Sequence, residues 1–463
     1  MPASEHRIVV VGGGISGLAC AWRLAQLGLP VLLLEQEARP GGVIRTVRQD
    51  GALFEAGPQS FLLTAPLYGL LREIGLEQDL LRANPRAPRY VYLGGKLNRV
   101  PMAPPGMVFT SLLSAGTKWR LVTEPFRTST PPETDESISD FIRRKFGTDL
   151  LDHLVAPMVS GVYAGDPERL SLRSAFPALY EWEKQHGSVL RGMIKSLSGK
   201  KKKARAPAGA KGLVTLREGN ASLPARLTES LGDAVSAGTR AVAVRRGPEG
   251  GAAFELDCET KGGRETLSAA AVVVAAPAGV AARLLAPLVP AAAELGRIAY
   301  APVAVVAGAY ATEHLRRPLS GFGFLVPRSE RLRILGTVWN SSLFPGRAPE
   351  EQTSLTSFVG GMTDPSAGSL PDEALFQTVE SELRRILGVF GTPRSRFAQR
   401  WAQAIPQYNL GHAELVRKVR GAVEGVPGLV LAGSYLDGPA VGACVAAANR
   451  AAEQAAAVVR GEK

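Results

Sequence analysis

Three glycines, Gly12, Gly14 and Gly17, and one carboxylate, Glu35, have types and spacing that could do chemistry together. They sit in Arg7-Ile-Val-Val-Val-Gly12-Gly-Gly14-Ile-Ser-Gly17-Leu18 and at the end of a second apolar run, Val31-Leu-Leu-Leu-Glu35. The order is strand, tight turn, helix, then a strand tipped by an acid about 20 residues on, which suits a dinucleotide. Gly12 permits the turn, Gly14 lets backbone approach a pyrophosphate, and Gly17 lets helix and sheet pack closely. The positive end of the helix faces the phosphates, and Glu35 can accept hydrogen bonds from ribose hydroxyls.

Such a unit holds either NAD or FAD, and the residues that follow discriminate. Arg39-Pro-Gly41-Gly42-Val-Ile-Arg45 is a second glycine doublet flanked by arginines, and Phe54-Glu55-Ala-Gly57-Pro58 follows it. Extra backbone approach beside the first βαβ unit suits a flavin lying extended across the fold. Near the far end, Gly428-Leu-Val-Leu-Ala432-Gly433 reads as a buried strand stopping at glycine, and Val441 to Val459 as an alanine-rich helix. The N-terminus of that helix would aim N–H groups at the electron-rich pyrimidine edge of a flavin. Ala271-Val-Val-Val-Ala-Ala-Pro277 reads as a strand that rejoins the same sheet. No second GxGxxG is present, so no separate nicotinamide site is visible and dioxygen is the simplest electron acceptor.

These elements need a larger frame. At 463 residues the chain exceeds one compact core, so two or three domains are expected. Fifty-four Lys+Arg against 42 Asp+Glu give a net charge of +12, which suits anionic ligands or anionic membrane surfaces. No nucleic-acid-binding pattern accompanies the charge, so no nucleic acid partner is expected. Cys20, Cys258 and Cys444 are far apart and fit packing roles in a reducing compartment. His153, His186, His314 and His412 lack partners at ligand spacing, so no metal is expected. The longest apolar stretch, Thr266 to Ala282, is interrupted by Pro277, and no signal sequence precedes the first strand. A cytoplasmic protein follows, with any membrane contact peripheral.

Asp135 to Lys184 carries helical periodicity, with Asp135 or Ser137 as its N-cap. Just before it, Gly106 to Val122 is apolar with Trp119 and basic residues near its end; it suits either a bilayer surface or packing on its own domain. Lys200 to Lys203 with Arg205 reads as a solvated basic loop, and Gly212 to Leu231 as a return to helix. Val242 to Val274 reads as a meander and Pro277 to Leu295 as helical. Tyr300 to Phe358 alternates in strand-length pieces, suggesting an antiparallel wall over the flavin, with an amphipathic helix from Asp372 to Leu387 behind it.

Together the glycine turns and the terminal strand-helix resemble the FAD-dependent amine oxidase superfamily. The middle of the chain narrows this. Gly57-Pro-Gln-Ser-Phe61, Arg89-Tyr-Val-Tyr-Leu-Gly-Gly-Lys-Leu, Gly161-Val-Tyr-Ala-Gly-Asp166 and Leu170-Ser171 resemble motifs of the oxygen-dependent protoporphyrinogen oxidase family. So do Gly321-Phe-Gly-Phe-Leu-Val-Pro327 and Ile405-Pro-Gln-Tyr-Asn-Leu-Gly-His412, and the similarity runs from about residue 6 to about residue 458. The resemblance implies an α/β (α+β overall) fold with a Rossmann-like FAD-binding domain made of residues 1–88, 211–296 and 398–463. It implies a sheet-based substrate domain of 89–103 and 297–397, and a helical, membrane-contacting domain of 104–210. The implied reaction is oxidation of protoporphyrinogen IX by dioxygen, giving hydrogen peroxide. Coproporphyrinogen III is the alternative substrate, and an amine oxidase or carotenoid desaturase a more distant one. Implied partners are a second copy, an anionic membrane and a ferrochelatase.

Residue by residue, the resemblance implies that the flavin carries the chemistry and the protein supplies no catalytic residue. Arg89 pairs with a ring propionate; Phe322, Leu325, Leu335 and Phe358 sandwich the macrocycle, and Gly161 leaves it room. Implied flavin contacts in the first unit are Gly12, Gly13, Gly14, Ile15, Ser16 and Gly17, then Glu35, Gln36, Arg39, Gly41, Gly42 and Ile44. Gly57, Pro58, Gln59 and Ser60 add a loop, with Gln59 also facing substrate. Val242, Ala275, Trp401, Gly433, Val441, Gly442 and Ala443 complete the set. Three departures stand out: Gln59 replaces a common asparagine, Gly442-Ala443 replaces a polar pair, and Arg217-Glu-Gly219-Asn220 stands where a Gly-Gly is usual.

Overall fold

A computed structural model describes residues 7–102, 104–199 and 210–462; the basic stretch Lys200–Lys203 with Arg205 lies outside the described residues. Five parallel strands form the first sheet, in the order Val235–Ala237, Val31–Glu35, Ile8–Val11, Ala271–Val274, Leu429–Leu431. The chain leaves Ile8–Val11 toward one side of the sheet and leaves Ala271–Val274 toward the other. The two connections diverge and open a crevice at the carboxyl edge, where open α/β sheets bind ligands.

Both faces of this sheet are covered, which is why its strands read as unbroken apolar runs. Ile8, Val10, Leu33, Ala271 and Val273 pack with the helices Ile15–Gln26, Ser222–Leu231 and Val441–Val459. Val9, Val11, Leu34, Val272 and Val274 pack on the opposite side with the helix Ala278–Leu285 and an antiparallel sheet. That sheet joins Arg240–Arg246, Phe254–Thr260 and Gly263–Ala269. Small buried residues such as Ala448, Ala452 and Ala455 let the Val441 helix lie close against the Ile15 helix.

A seven-stranded sheet follows the order Ser395–Pro406, Tyr300–Ala311, Gln352–Gly360, Ile334–Trp339, Gly323–Leu325, Arg89–Leu93, Lys96–Arg99. All its pairings are antiparallel except Gly323–Leu325 with Arg89–Leu93. Directly paired residues share a face. Gly323 opposes Arg89, Leu325 opposes Gly336, Gly336 opposes Phe358, and Phe358 opposes Val305. Arg89, Leu325 and Phe358 therefore project from one face. The other face carries Phe324, Trp339, Leu355 and Val359, which pack on Leu375, Val379, Leu383 and Leu387 of the helix Asp372–Leu387.

Residues 104–199 are helical, with Ser137 as the N-cap of Ile138–Lys145, its Oγ accepting from the Asp140 N–H at 3.0 Å. Asp135 instead accepts from the Ser171 hydroxyl and the Gly411 N–H. The stretch from Gly212 departs from the helix expected there. Leu213–Leu216 is a strand paired with Phe61–Leu62 and Leu80–Arg82, and the helix begins only at Ser222. The apolar and β-branched run Leu-Val-Thr-Leu fits a buried strand, and Gly219 at φ +99° turns the chain before the helix. Among the described residues no helix is long and apolar enough to cross a membrane.

Candidate functional site

The cradle at the sheet edge is built from backbone. Gly12 holds φ +109°, and a Cβ on Gly17 would lie 1.8 Å from the Gly12 carbonyl oxygen, so the turn and helix close only with glycine at both places. Gly14 differs: a Cβ there would meet nothing within 4 Å. No protein atom requires a glycine at that position, whereas a group approaching from the open side would. The first helical bond runs from Leu18 N–H to Gly14 C=O, which leaves the amides of Ile15, Ser16 and Gly17 unclaimed by the helix. No side chain caps this end and no acid lies in its first turn.

Buried Glu35 accepts from Gly13 N–H at 2.6 Å and from Glu37 N–H at 2.8 Å. Gln36, one residue beyond, is exposed. The second glycine doublet docks directly on the first turn: Gly41 N–H donates to Gly13 C=O at 2.7 Å, and Gly42 stacks on Gly14. Arg39 is exposed and donates to the Ile44 and Gly42 carbonyls at 3.3 Å, while Ile44 is buried beneath. Ala275 abuts Gly12 and is held by its N–H to Val11 C=O at 2.8 Å; half-buried Val242 lies on the strand Arg240–Arg246.

A second bare helix end meets the same edge. The Val441 helix has Ala440 as N-cap with no side-chain bond and no acid in its first turn. Gly433, at φ +143°, turns the chain out of the strand Leu429–Leu431 toward it. A Cβ on Gly442 would lie 2.6 Å from Thr64 Oγ1, so the missing side chain at 442 is matched by Thr64, the N-cap of the helix Ala65–Glu73. Half-buried Ala443 follows it. Two uncapped helix N-termini, an open Gly14 and a docked glycine doublet fit a flavin dinucleotide.

Between the sheets runs the loop Gly57–Ser60, half-buried throughout. A Cβ on Gly57 would lie 1.9 Å from the Val43 carbonyl oxygen. Gln59 spends its amide N–H groups on its own loop, donating to the Glu55 and Gly57 carbonyls, while its oxygen accepts from Asn340 at 3.3 Å. Beneath lies a buried ion pair, Glu55–Arg347 at 3.6 Å. Glu55 also accepts from Thr46 and from the Asn220 N–H, and Arg347 donates to Thr215 Oγ1 and Leu216 C=O. Burial pushes the Glu55 carboxyl up despite these partners, and lowers Arg347. The Asn220 side chain then ties this network to the loop by donating to Pro58 C=O at 2.8 Å. The departure at residues 217–220 thus buys a strut, one invisible until Glu55 and Thr215 are seen beside it. From the facing sheet, Trp401 Nε1–H donates to Ala56 C=O at 2.6 Å.

An apolar cluster lines the seven-stranded sheet. Half-buried Leu335 and Phe358 join Met362, Ala404 and Ile405 around Ala164, Ala301 and Val303. A Cβ on Gly161 would lie 2.7 Å from Leu325 Cδ2, so the glycine lets the helix Ala156–Tyr163 approach Leu325. Arg89 is exposed, its guanidinium 5.1 Å from the Phe322 ring centroid, with no carboxylate partner among the described residues. Met362 and Ala404 were not singled out in the sequence: Met362 is placed by its N–H bond to Ala164 C=O at 2.8 Å, and Ala404 by the strand Ser395–Pro406. The cysteines are free and buried, with burial pushing Cys20 up to about 12, and no metal-ligand cluster occurs among the described residues.

Comparison with known proteins agrees with this geometry. The family model "flavin containing amine oxidoreductase" matches residues 15–458. The chloroplastic protoporphyrinogen oxidase of Oryza sativa subsp. japonica is 37% identical over 469 residues, 96% of this chain and 87% of that protein. The coproporphyrinogen III oxidase of Bacillus subtilis is 30% identical, covering 96% of this chain and 97% of its own length. Among solved structures, an Exiguobacterium sp. 255-15 protein assigned as a protoporphyrinogen oxidase superposes with TM-score 0.79 at 28% identity, covering 96% of this chain and 98% of that one. A putrescine oxidase shares the fold at TM-score 0.71 and 18% identity, covering 97% and 98%. The chain is an FAD-dependent oxidoreductase and belongs to the flavin containing amine oxidoreductase family, beside the protoporphyrinogen and coproporphyrinogen III oxidases.

Proposed function

We propose that this chain oxidises a porphyrinogen to a porphyrin, with protoporphyrinogen IX as substrate and dioxygen as final electron acceptor. The observation that carries the reading is the apolar cluster around Leu335, Phe358, Met362, Ala404 and Ile405, together with two helix N-termini that carry no side-chain cap and no acid in their first turns. Bound FAD supplies the hydride acceptor. The chain's part is to hold a saturated bridge carbon against it, exclude water with the apolar cluster, and orient the macrocycle by a carboxylate. Arg89 fits that last role: an exposed guanidinium with no carboxylate partner among the described residues, lying over Phe322, suits a propionate.

The same reading divides the chain into an FAD-binding part, a sheet that carries substrate, and a helical part that touches a membrane surface. Phe109 and Phe126 are each 86% exposed and Trp119 65%, on adjacent helical segments, with Lys118, Arg120 and Arg127 among them. Exposed aromatics ringed by cations suit an anionic bilayer surface.

The test offers protoporphyrinogen IX and coproporphyrinogen III anaerobically to the FAD-loaded protein and follows bleaching of the flavin. Faster bleaching by protoporphyrinogen is expected, with return of colour on admitting air. Arg89→Ala should weaken substrate binding by about 1.5–3 kcal/mol, the worth of one charged hydrogen bond. A flavin that neither porphyrinogen bleaches overturns the reading, and preference for coproporphyrinogen III moves the assignment to that substrate.

A further inference from the structure

Tyr163 of the string Gly161–Asp166, and Gln407, Tyr408 and His412 of Ile405–His412, remain without a role in the chemistry above, and the structure knots them together. Gln407 Nε2 donates to Tyr163 C=O at 2.9 Å and to Ile405 C=O at 3.0 Å. The Tyr163 and Tyr408 rings lie 6.0 Å apart, and His412 stacks on Tyr408 at 4.2 Å and 11°. Ser171 N–H donates to Tyr408 C=O at 2.8 Å. Tyr408 itself is 3% exposed.

The hydroxyl of Tyr408 leaves this knot and enters the cradle. It donates to Ser434 C=O and accepts the Gly438 N–H at 2.7 Å, so its one donor and one of its acceptor sites are spent on one turn. Gly438 is held at its other end too, where Cys444 Sγ–H lies 3.6 Å from its carbonyl oxygen. Three residues on, the Val441 helix begins with no side-chain cap. At the opposite end of the knot, the helix Ala156–Tyr163 ends at Ala164, a member of the apolar cluster, whose carbonyl accepts the Met362 N–H at 2.8 Å.

We propose that Tyr408 is a positioning residue: its hydroxyl sets the Ser434–Gly438 turn, and with it the bare first turn of the Val441 helix, in fixed relation to the apolar cluster. The proposal rests on the assignment of that helix end to the flavin. A helix N-terminus favours negative charge within its first turn only, so its effect on a bound ring depends steeply on placement. Removing the hydroxyl leaves Gly438 N–H without its partner, and the turn relaxes away from the register that favours reduced flavin.

The experiment compares wild type, Tyr408→Phe and Tyr163→Phe by FAD dissociation constant, two-electron midpoint potential of the bound flavin, and melting of apo and FAD-loaded protein. Tyr163 donates to Ala175 C=O at 3.0 Å, a buried bond in the same knot that does not touch the Gly438 turn. Both variants are expected to melt lower. Only Tyr408→Phe is expected to bind FAD about tenfold more weakly and to lower the potential by about 30 mV, a tenfold loss of preference for the reduced state in a two-electron couple. An unchanged potential and FAD affinity in Tyr408→Phe, or an equal shift in Tyr163→Phe, overturns the proposal. Should Tyr408→Phe fail to fold, hydrogen exchange on wild-type holoprotein decides: Gly438 N–H is expected to be protected, and exchange at the open-chain rate sinks the idea. None of these readouts uses a tetrapyrrole, so the porphyrinogen assignment and the Tyr408 proposal can fail separately.

Discussion

Two clusters of buried charge among the described residues are solved in opposite ways. Under the loop Gly57–Ser60, Glu55 and Arg347 are each 3% exposed and stand 3.6 Å apart, and burial moves both toward neutrality. In the helical part, Glu124, Lys145 and Glu183 are 2%, 8% and 0% exposed, yet both carboxyls are held below their ordinary range. Burial alone would raise Glu183; hydrogen bonds from Arg144 and Ser129, with the charges of Arg144 and Lys145, outweigh it and hold the group at about 2. Burial would raise Glu124 as well, but Ser188, the Val189 and Leu190 amides and Lys145 outweigh it. Depth does not decide the charge state; the number of donors aimed at each oxygen does.

The largest expected effect tests the helical cluster. Lys145→Met strands Glu124 and Glu183 without their shared cation and should cost about 3–5 kcal/mol in denaturant melts. A loss under 1 kcal/mol would show that Arg144 and the amide donors suffice alone. Next comes the acid limb. Glu183 has a folded pKa of about 2 against an ordinary 4.5, so its contribution is full above about 4.5 and fades as pH falls toward 2. Glu183→Gln should flatten the stability profile across that window, and an unaltered slope contradicts the assignment.

The loop cluster should respond more mildly. Arg347→Met removes bonds to Thr215 and Leu216 but lets Glu55 take up a proton, for a loss of about 1–3 kcal/mol measured by thermal melting. Smallest is Glu55→Gln, within about 1 kcal/mol, because burial already works against the charged form of this carboxyl. Its pH signature has the opposite sign to Glu183. A raised folded pKa means that Glu55 adds stability as pH falls through that value toward 4.5, and the glutamine variant should lose that rise. Matching slopes for the two clusters would erase the contrast between them.

Legibility in the sequence followed the distance between partners. The helices Asp372–Leu387 and Val441–Val459 were readable to the residue, because amphipathic or small-residue periodicity lies within each stretch. Gly212 to Leu231 read as helix throughout, yet Leu213–Leu216 is a strand, since its pairing partners stand at Phe61 and Leu80. Among site residues, Glu35 and the glycines of the first turn came from spacing alone. Glu55 and Asn220 stood out only as members of their strings and Arg347 not at all, because their meaning lies in contacts between residues more than a hundred positions apart.

A tight turn with its following helix is dictated over a dozen consecutive residues, where missing side chains and forced backbone angles leave few alternatives, so the cradle could be written down from the chain alone. The apolar cluster, the clamp of Tyr408 on Gly438 and the match of Thr64 to Gly442 could not. Each is a through-space agreement between segments that sequence order keeps apart, and strand register and helix packing had to bring them within a few ångströms before either partner acquired a role.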